Sequence, residues 1–557
     1  MANFLSKEHI TANANFNRWL VPPAALAVHL SIGMAYGFSV FWKPLGNALM
    51  GVDGKPLAAC AAGATNLSEK LSGTARALFA TDCNWTQFDL GWMFTLFFVL
   101  LGCSAALWGG WLEREGPRKA GLVSMVLWCG GLLISAYGVY AHQLWLMWLG
   151  SGVIGGIGLG LGYISPVSTL IKWFPDRRGM ATGMAIMGFG GGAMIGSPLA
   201  TKLMGHFATP TTPGVWQTFV ALAAIYFIFM LWGSLSYRVP PTGWKPANWT
   251  PPAAQNNAMI STKHVHLKNA HKTPQFWLLW LVLCMNVSAG IGIIGAAAPM
   301  LQETFGGALI GQPDIGFADI KKDEALTAAA AAVGAGFVGL ISLFNIFGRF
   351  AWATSSDKLG RKRTYYIFFV LGALMYCTAT YVAGFKSLAL FVGAFCVIAS
   401  MYGGGFATIP AYLADMFGTQ FVGAIHGRLL TAWSTAGILG PVVVNYMHDT
   451  RLEAKVPFDQ VYAPIFLVLA GLLVVGFIAN LLVKPVNEKY YMTDAELEGV
   501  RKLAHEKSEA TNANGTVNSA SQSASHPMLV VLAWALVLIP ISYGIWSTIQ
   551  KAWGLFH

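Results

Sequence analysis

Apolar positions in this chain neither alternate nor stripe; they come in unbroken stretches of about 20 residues separated by polar connections. Each stretch is long enough to cross a hydrocarbon core of ~30 Å as a helix. Twelve fall at about 19–45, 89–110, 121–141, 144–171, 179–204, 215–237, 276–302, 326–353, 364–384, 387–414, 421–447 and 462–484, and a thirteenth at 527–548. Inside lipid every backbone polar group must be satisfied within the element, so stretches of this length predict an all-α membrane protein. Met1 to Arg18 is polar and has no cleavage site, so the first stretch is expected to remain as an uncleaved helix.

The connections set the expected organisation. An N-terminal six-helix half covers 1–237 and includes a long outer loop at 46–88, rich in small residues. A central loop at 238–274, first Pro-rich and then rich in His and Lys, leads to a second six-helix half at 275–484. A linker at 485–526 opens with an amphipathic piece in which Thr493 and Glu496 fit a capping box. It ends in a Ser/Asn/Ala-rich tract of the flexible kind and joins the thirteenth helix at 527–557.

The two halves repeat. Glu113 and Asp357, Pro166 and Pro410, Gly179 and Gly423, Gly183 and Gly427, and Gly196 and Gly440 are each 244 positions apart. Upstream the offset is 257, matching His29, Ser31 and Gly33 with Asn286, Ser288 and Gly290; the 13-residue difference is the extra length of the first outer loop. Two six-helix halves in parallel repeat suit a transporter in which one half rocks against the other around a midplane site.

Composition agrees: 55% of the 557 residues are apolar and 11% are charged, against roughly 25% charged in soluble domains. The net charge of +11 would suit a polyanionic partner, but its distribution argues otherwise. With the N-terminus cytoplasmic, 23 of the 35 Lys and Arg fall in inner segments, 11 in outer segments and one inside a span. That bias sets orientation in a bilayer and implies no nucleic acid. Five cysteines lie in apolar spans as packing residues, whereas Cys60 and Cys83 share the first outer loop, where either a disulfide or two thiols fits. The histidines at 264–271 read as part of a solvated basic loop rather than a metal site, and neither metal nor cofactor is expected.

Segments 109–119 and 353–363 are two copies of one short inner turn. The first reads Gly109, Glu113, Arg114, Gly116, Arg118 and Lys119; the second reads Asp357, Lys358, Gly360, Arg361 and Lys362. The Gly permits the bend, the acid can face the positive end of a neighbouring helix, and the basic residues stay among headgroups. These segments resemble the G-x-x-x-D-R-x-G-R-R/K loop of the major facilitator superfamily, with Glu113 for Asp, Pro117 for a basic residue and Ala353 for Gly. The stretch "WFPDRRGMATG" from Trp173, with "GMAYGFSVF" in the first span and "FNIFGR" in the eighth, resembles the oxalate:formate antiporter family and the related monocarboxylate transporters. That resemblance covers roughly 19–484 and leaves the thirteenth span as an accessory. It implies a secondary carrier that moves small organic carboxylates across a bacterial inner membrane, by exchange or with a proton; a monomer is expected.

One strong cation, Arg349, lies inside a span, eight residues before Asp357 and so ~12 Å above the inner end. An intramembrane Arg is costly and marks function by default. No Asp or Glu lies in the middle of a main span, since Asp89, Glu303 and Asp415 sit at ends, and the repeat partner of Arg349 is Ala105. A guanidinium without an internal counter-ion suits a carboxylate, held by two parallel hydrogen bonds. The resemblance also puts a substrate-binding Arg at this position. Asn345 lies one turn away on the same face. Tyr36 and Tyr163 match cavity-lining positions of the family, with packing an equal alternative, and His29 is a possible proton acceptor or a packing residue. Trp433 stands where oxalate carriers have a second cation, a Lys, and its repeat partner is Phe189. A single cation points to a monoanion, while the family name points to oxalate. A non-transporting sensor is the rival of another class; the spans offer no nucleophile–base pair, metal cluster or phosphate loop for an enzyme.

Overall fold

A computed structural model describes residues 5–553 except 6, 8, 14, 52–55, 65, 211, 242–243, 248, 251–258, 385–386, 501 and 503–525. Among the described residues the chain is helical, with isolated β-bridges and no sheet. Thirteen helices among the described residues are long and apolar enough to cross a membrane: α1 Arg18–Gly46, α2 Gln87–Glu115, α3 Pro117–Tyr140, α4 Leu144–Trp173, α5 Arg178–Phe207, α6 Val215–Ser236, α7 Pro274–Ile310, α8 Glu324–Leu359, α9 Arg361–Tyr381, α10 Leu388–Phe417, α11 Val422–Glu453, α12 Phe458–Leu482 and α13 Pro527–Trp553. They form two six-helix halves and one added helix. Several run past their apolar cores because side chains cap them: Asp323 accepts from the N–H groups of Ala325 and Leu326 at the start of α8, and Thr86 and Asp89 make a reciprocal box at α2.

The repeat is visible in the backbone. Gly116 ends α2 and Gly360 ends α8 at φ of 93° and 86°, a left-handed region that lets the next helix start at once. Where the halves meet, α2 crosses α11 and α5 crosses α8 through small residues. A Cβ on Gly179 would overlap the carbonyl of Ala353, and one on Gly427 the carbonyl of Ala105. Close approach of this kind replaces hydrophobic driving force in a bilayer. Regular α geometry breaks within several spans: α1 tightens to a 3-10 helix over Gly33–Phe41, α4 widens to a π-helix over Trp148–Gly155, α7 ends in a 3-10 helix over Gly306–Ile310, and α11 turns at Leu430.

The 46–88 connection is more ordered than its small-residue composition suggests. It contains an eleven-residue helix, Leu67–Ala77, with an Asn66–Glu69 capping box, and Thr74 of that helix bonds Asp89 at the start of α2. Cys60 and Cys83 are joined by a disulfide. In the central connection the histidines do not converge. His266 caps a single turn, His271 meets Arg428, and His264 accepts Met492 N–H through its carbonyl. The Thr493–Glu496 capping box is formed, whereas the Ser/Asn/Ala-rich tract over 503–525 lies outside the described residues.

Helix α13 lies on the outside of the bundle but not at random. Trp534 Nε1 donates to Trp19 O at the start of α1, Gly544 packs on Met194 and Ile195 of α5, and Gly336 and Gly339 of α8 receive Lys551 and Thr548. It therefore touches both halves along the α5–α8 seam.

Candidate functional site

The face bearing Glu113 and Asp357 is termed the motif face. Asp357 accepts from the N–H groups of Gly179 (2.8 Å) and Met180 (2.9 Å), at the start of α5 in the other half. Glu113 accepts from Gly423 N–H (2.9 Å), at the start of α11, and from Ser168 Oγ (3.0 Å). Each carboxylate thus sits on the positive end of a helix across the seam, where a negative charge is favoured. Around Asp357 the network widens: Arg361 pairs with Asp357 and, through Nε, with Asp415 (3.0 Å), and Arg178 reaches Asp415 (2.8 Å). Around Glu113, Lys172 (2.5 Å) does this work, because Pro117 stands where the second copy has Arg361.

The remaining motif residues act within their own halves. Arg118 donates to Leu235 O (2.9 Å) at the end of α6, and its repeat partner Lys362 donates to Leu481 O (3.0 Å) and Val483 O (2.6 Å) at the end of α12. Arg114 and Lys358 are exposed. A cavity of 1060 Å³ opens on this face, lined by Lys172, Arg178, Trp244, Asp357, Arg361 and Asp415 among others. None of the residues around Arg349 lines it.

Deeper, between the halves, Arg349 has no exposed surface. Its Nε donates to Asn345 Oδ1 (3.1 Å) and its Nη1 to Ile186 O (3.2 Å), while Nη2 has no partner. No carboxylate among the described residues forms an ion pair with it. Rings surround the guanidinium instead: Phe406, Phe189 and Tyr36 lie 5.4, 5.9 and 6.0 Å from its carbon. A buried guanidinium with one unpartnered nitrogen and three π-faces around it leaves a donor open to an anion.

The sequence-derived residues converge on that cage. Tyr36 shares a hydrogen bond with Tyr402 of α10 (3.2 Å), joining the halves above the cation. Trp433 packs on Phe406 at 4.4 Å and on its repeat partner Phe189 at 5.4 Å, with its indole N–H unpartnered. Tyr163 packs on Trp433 at 5.3 Å, and its hydroxyl is also unpartnered. His29 stacks on Tyr163 at 5.2 Å, but both its ring nitrogens face backbone carbonyls, of Ala185 (2.5 Å) and Tyr163 (3.1 Å). Its polar atoms hold α1 against α4 and α5 and do not point into the cage.

Three contributors escaped the sequence reading: Phe406 and Tyr402 on α10, and Phe98 on α2, which packs on Trp433 at 5.3 Å. A fourth, His426 of α11, is buried, lies 6.0 Å from Tyr163 and has neither ring nitrogen bonded.

Comparisons with known proteins agree with this architecture. The Major Facilitator Superfamily profile matches residues 57–441 and again 290–554. The uncharacterized MFS-type transporter YhjX of Escherichia coli (strain K12) is 24% identical over 63% of this chain and 77% of its own length. The oxalate:formate antiporter of Oxalobacter formigenes is 25% identical over 62% of this chain and 73% of its own. Apicoplast pyruvate carrier 1 of Toxoplasma gondii is 24% identical over 61% of this chain and 66% of its own. Among solved structures, the fold is similar to the E. coli fucose:proton symporter FucP, with a TM-score of 0.54, 12% identity and coverage of 84% of this chain and all of that one. It is likewise similar to the proton:xylose symporter XylE, with a TM-score of 0.53, 16% identity and coverage of 84% of this chain and 95% of that one. With that profile spanning most of its length and thirteen apolar helices arranged as two repeated halves, the chain belongs to the major facilitator superfamily of membrane transporters.

Proposed function

We propose that this transporter is a secondary carrier of small monocarboxylates, with the substrate carboxylate held on Arg349 between the halves. The observation that carries this reading is Arg349 Nη2, a guanidinium nitrogen without a partner, in a buried aromatic cage that holds no acid. A carboxylate supplies the missing acceptor and the missing charge at once. Trp433 Nε1 and Tyr163 Oη, the other unpartnered donors around the cage, can take its remaining lone pairs. The motif face is taken as cytoplasmic, since inner segments hold 23 of the 35 Lys and Arg, and the membrane as a bacterial inner membrane. Alternating access then requires the Asp357–α5 and Glu113–α11 contacts to break in each cycle.

Oxalate exchange is the second reading, favoured by the antiporter relative. It conflicts with the presence of one cation in the cage: a dianion would keep one charge unpaired in a water-poor site, which is costly. Competition by pyruvate, lactate, formate and oxalate against one labelled substrate in proteoliposomes separates the two. The monocarboxylate reading expects pyruvate or lactate to compete best; tightest competition by oxalate overturns it.

A further inference from the structure

The unbonded imidazole of His426 has no place in the binding scheme above. Its exposure is 1%, yet neither Nδ1 nor Nε2 has a hydrogen-bond partner. A buried polar group left this way costs free energy, and native proteins rarely tolerate it without a reason. The fold does not require a histidine here. The repeat partner, 244 positions earlier, is Thr182, whose hydroxyl is satisfied by the carbonyls of Gly179 (3.0 Å) and Ala407 (2.6 Å).

Position adds a second argument. His426 is three residues beyond Gly423, whose N–H is bound by Glu113, so it lies ~4.5 Å inside the motif-face end of α11. On its other side stand Tyr163 and, beyond it, Trp433 of the cage. The imidazole is thus between the closed motif face and the carboxylate site. The titratable and charged groups around it are Tyr163 on α4, His29 on α1, and Glu113 of α2 with Lys172 of α4 at the helix start. Arg428 of its own helix turns away to Leu267 O (2.7 Å) and His271. Of the two histidines, His29 has a backbone carbonyl against each ring nitrogen, whereas neither ring nitrogen of His426 has a partner.

Resting on the carboxylate reading, we infer that His426 is the proton-carrying residue that couples monocarboxylate movement to a proton. When the cage is empty, Arg349 is uncompensated, and a second cation in the same low-dielectric interior is disfavoured. A bound carboxylate neutralises Arg349, and the imidazole lone pair then accepts one proton drawn from the outer solution and relayed by water reaching the site. When the motif face opens, the carboxylate leaves, the restored guanidinium charge expels the proton, and both reach the cytoplasm. One proton and one carboxylate move per cycle, so the net transported charge is zero.

The test uses the full chain, purified and reconstituted, with labelled pyruvate as probe. Two quantities are read in the same vesicles: accumulation driven by an inside-alkaline gradient, and equilibrium exchange without a gradient. Wild type should show a gradient-to-exchange ratio of about ten for one pH unit. His426→Gln and His426→Thr, the latter installing the residue of the repeat position, should bring the ratio to about one, whereas His29→Gln should keep it. Taking a ratio removes differences in folded protein. In parallel, calorimetry of wild type in buffers of different ionisation enthalpy should find close to one proton taken up per pyruvate bound. A preserved ratio in either His426 variant overturns the inference, as does a wild type that exchanges pyruvate without taking up a proton, a result that leaves the carboxylate site standing. A wild type that neither binds nor exchanges pyruvate, lactate or formate overturns both readings.

Discussion

The N-terminal and C-terminal halves share one scaffold and carry different chemistry. Turn glycines, seam glycines and helix prolines recur at one offset, and so do the acids that sit on the opposite half's helix ends. The residues that differ are the chemically expensive ones: Ala105 answers Arg349, Pro117 answers Arg361, Phe189 answers Trp433 and Thr182 answers His426. Duplication explains the fold, and departure from it marks where function was added. All four departures put the more polar or larger group in the second half, so the proposed carboxylate site draws its cation from that half, while the first half supplies rings, carbonyls, helix ends and the Tyr163 hydroxyl.

The comparison is broken most directly by erasing its sharpest difference. Arg349→Ala makes the two repeat positions alike and should abolish carboxylate binding, by more than about a hundredfold, since the substrate loses its counter-ion together with the charge-assisted bonding from Nη2. Arg349→Lys should recover only part, because the planar fork is gone. Uptake of labelled pyruvate checks both, and unaltered uptake by the Ala variant removes the site assignment. Next in size are the latches. Arg361→Ala leaves Asp357 and Asp415 facing each other with Arg178 alone, and should destabilise the motif-face-closed state by about 2 kcal/mol. Lys172→Ala should cost about half as much, because Glu113 keeps Ser168 and the Gly423 N–H. Melting of the detergent-solubilised variants ranks them; equal shifts would mean the two latches are equivalent.

Trp433→Lys sharpens the comparison in the other direction by adding a second cation to the cage. At an effective dielectric of about 20 and ~4 Å it would gain on the order of 4 kcal/mol before desolvation, and a third of that is about tenfold in affinity. Relative competition by oxalate over pyruvate should rise by about that factor; no change would show that the dianion is excluded by shape and not by charge. The smallest effect is expected in the 46–88 connection, for which the second half has a shorter one. His142 stacks on Trp85 at 4.3 Å and bonds Cys83 O, and burial holds its imidazole below the usual histidine range. The folded loop therefore binds fewer protons than the unfolded one, so its stability is full at neutral pH and falls as pH drops below about 6.5. Proteolysis of the loop at pH 8 and pH 5.5 measures this, and His142→Phe should flatten the difference.

What the sequence made legible follows from how each feature is encoded. Membrane spans are written as continuous apolar length, which survives without tertiary information, and the repeat is written as glycines and acids at fixed offset. Arg349 was legible because a charge in such a stretch has no cheap explanation. The aromatic cage was not: nothing separates Phe98 or Phe406 from the other residues among 34 phenylalanines until the helices cross. For His29 the sequence left a proton acceptor and a packing residue both open, and it could not show that the packing of α4 and α5 brings a carbonyl to each ring nitrogen. His426 lies in the first turn of its span, where a histidine reads as interfacial, although its mismatch with Thr182 was available. The Leu67–Ala77 helix had its own signal, Asn66 followed by Glu69, hidden by the surrounding small residues.

Helix α13 gives the two seams of the transporter different neighbours. Along the α5–α8 seam it stands between the moving halves and the lipid. The α2 and α11 helices of the opposite seam present exposed Leu107, Trp108, Ile438 and Val442 to the acyl chains. Bilayer thickness and tail order therefore press on one seam directly and on the other only through a protein strut. Rocking in such a molecule is lopsided in its response to the membrane, stiff where the strut lies and yielding where lipid does.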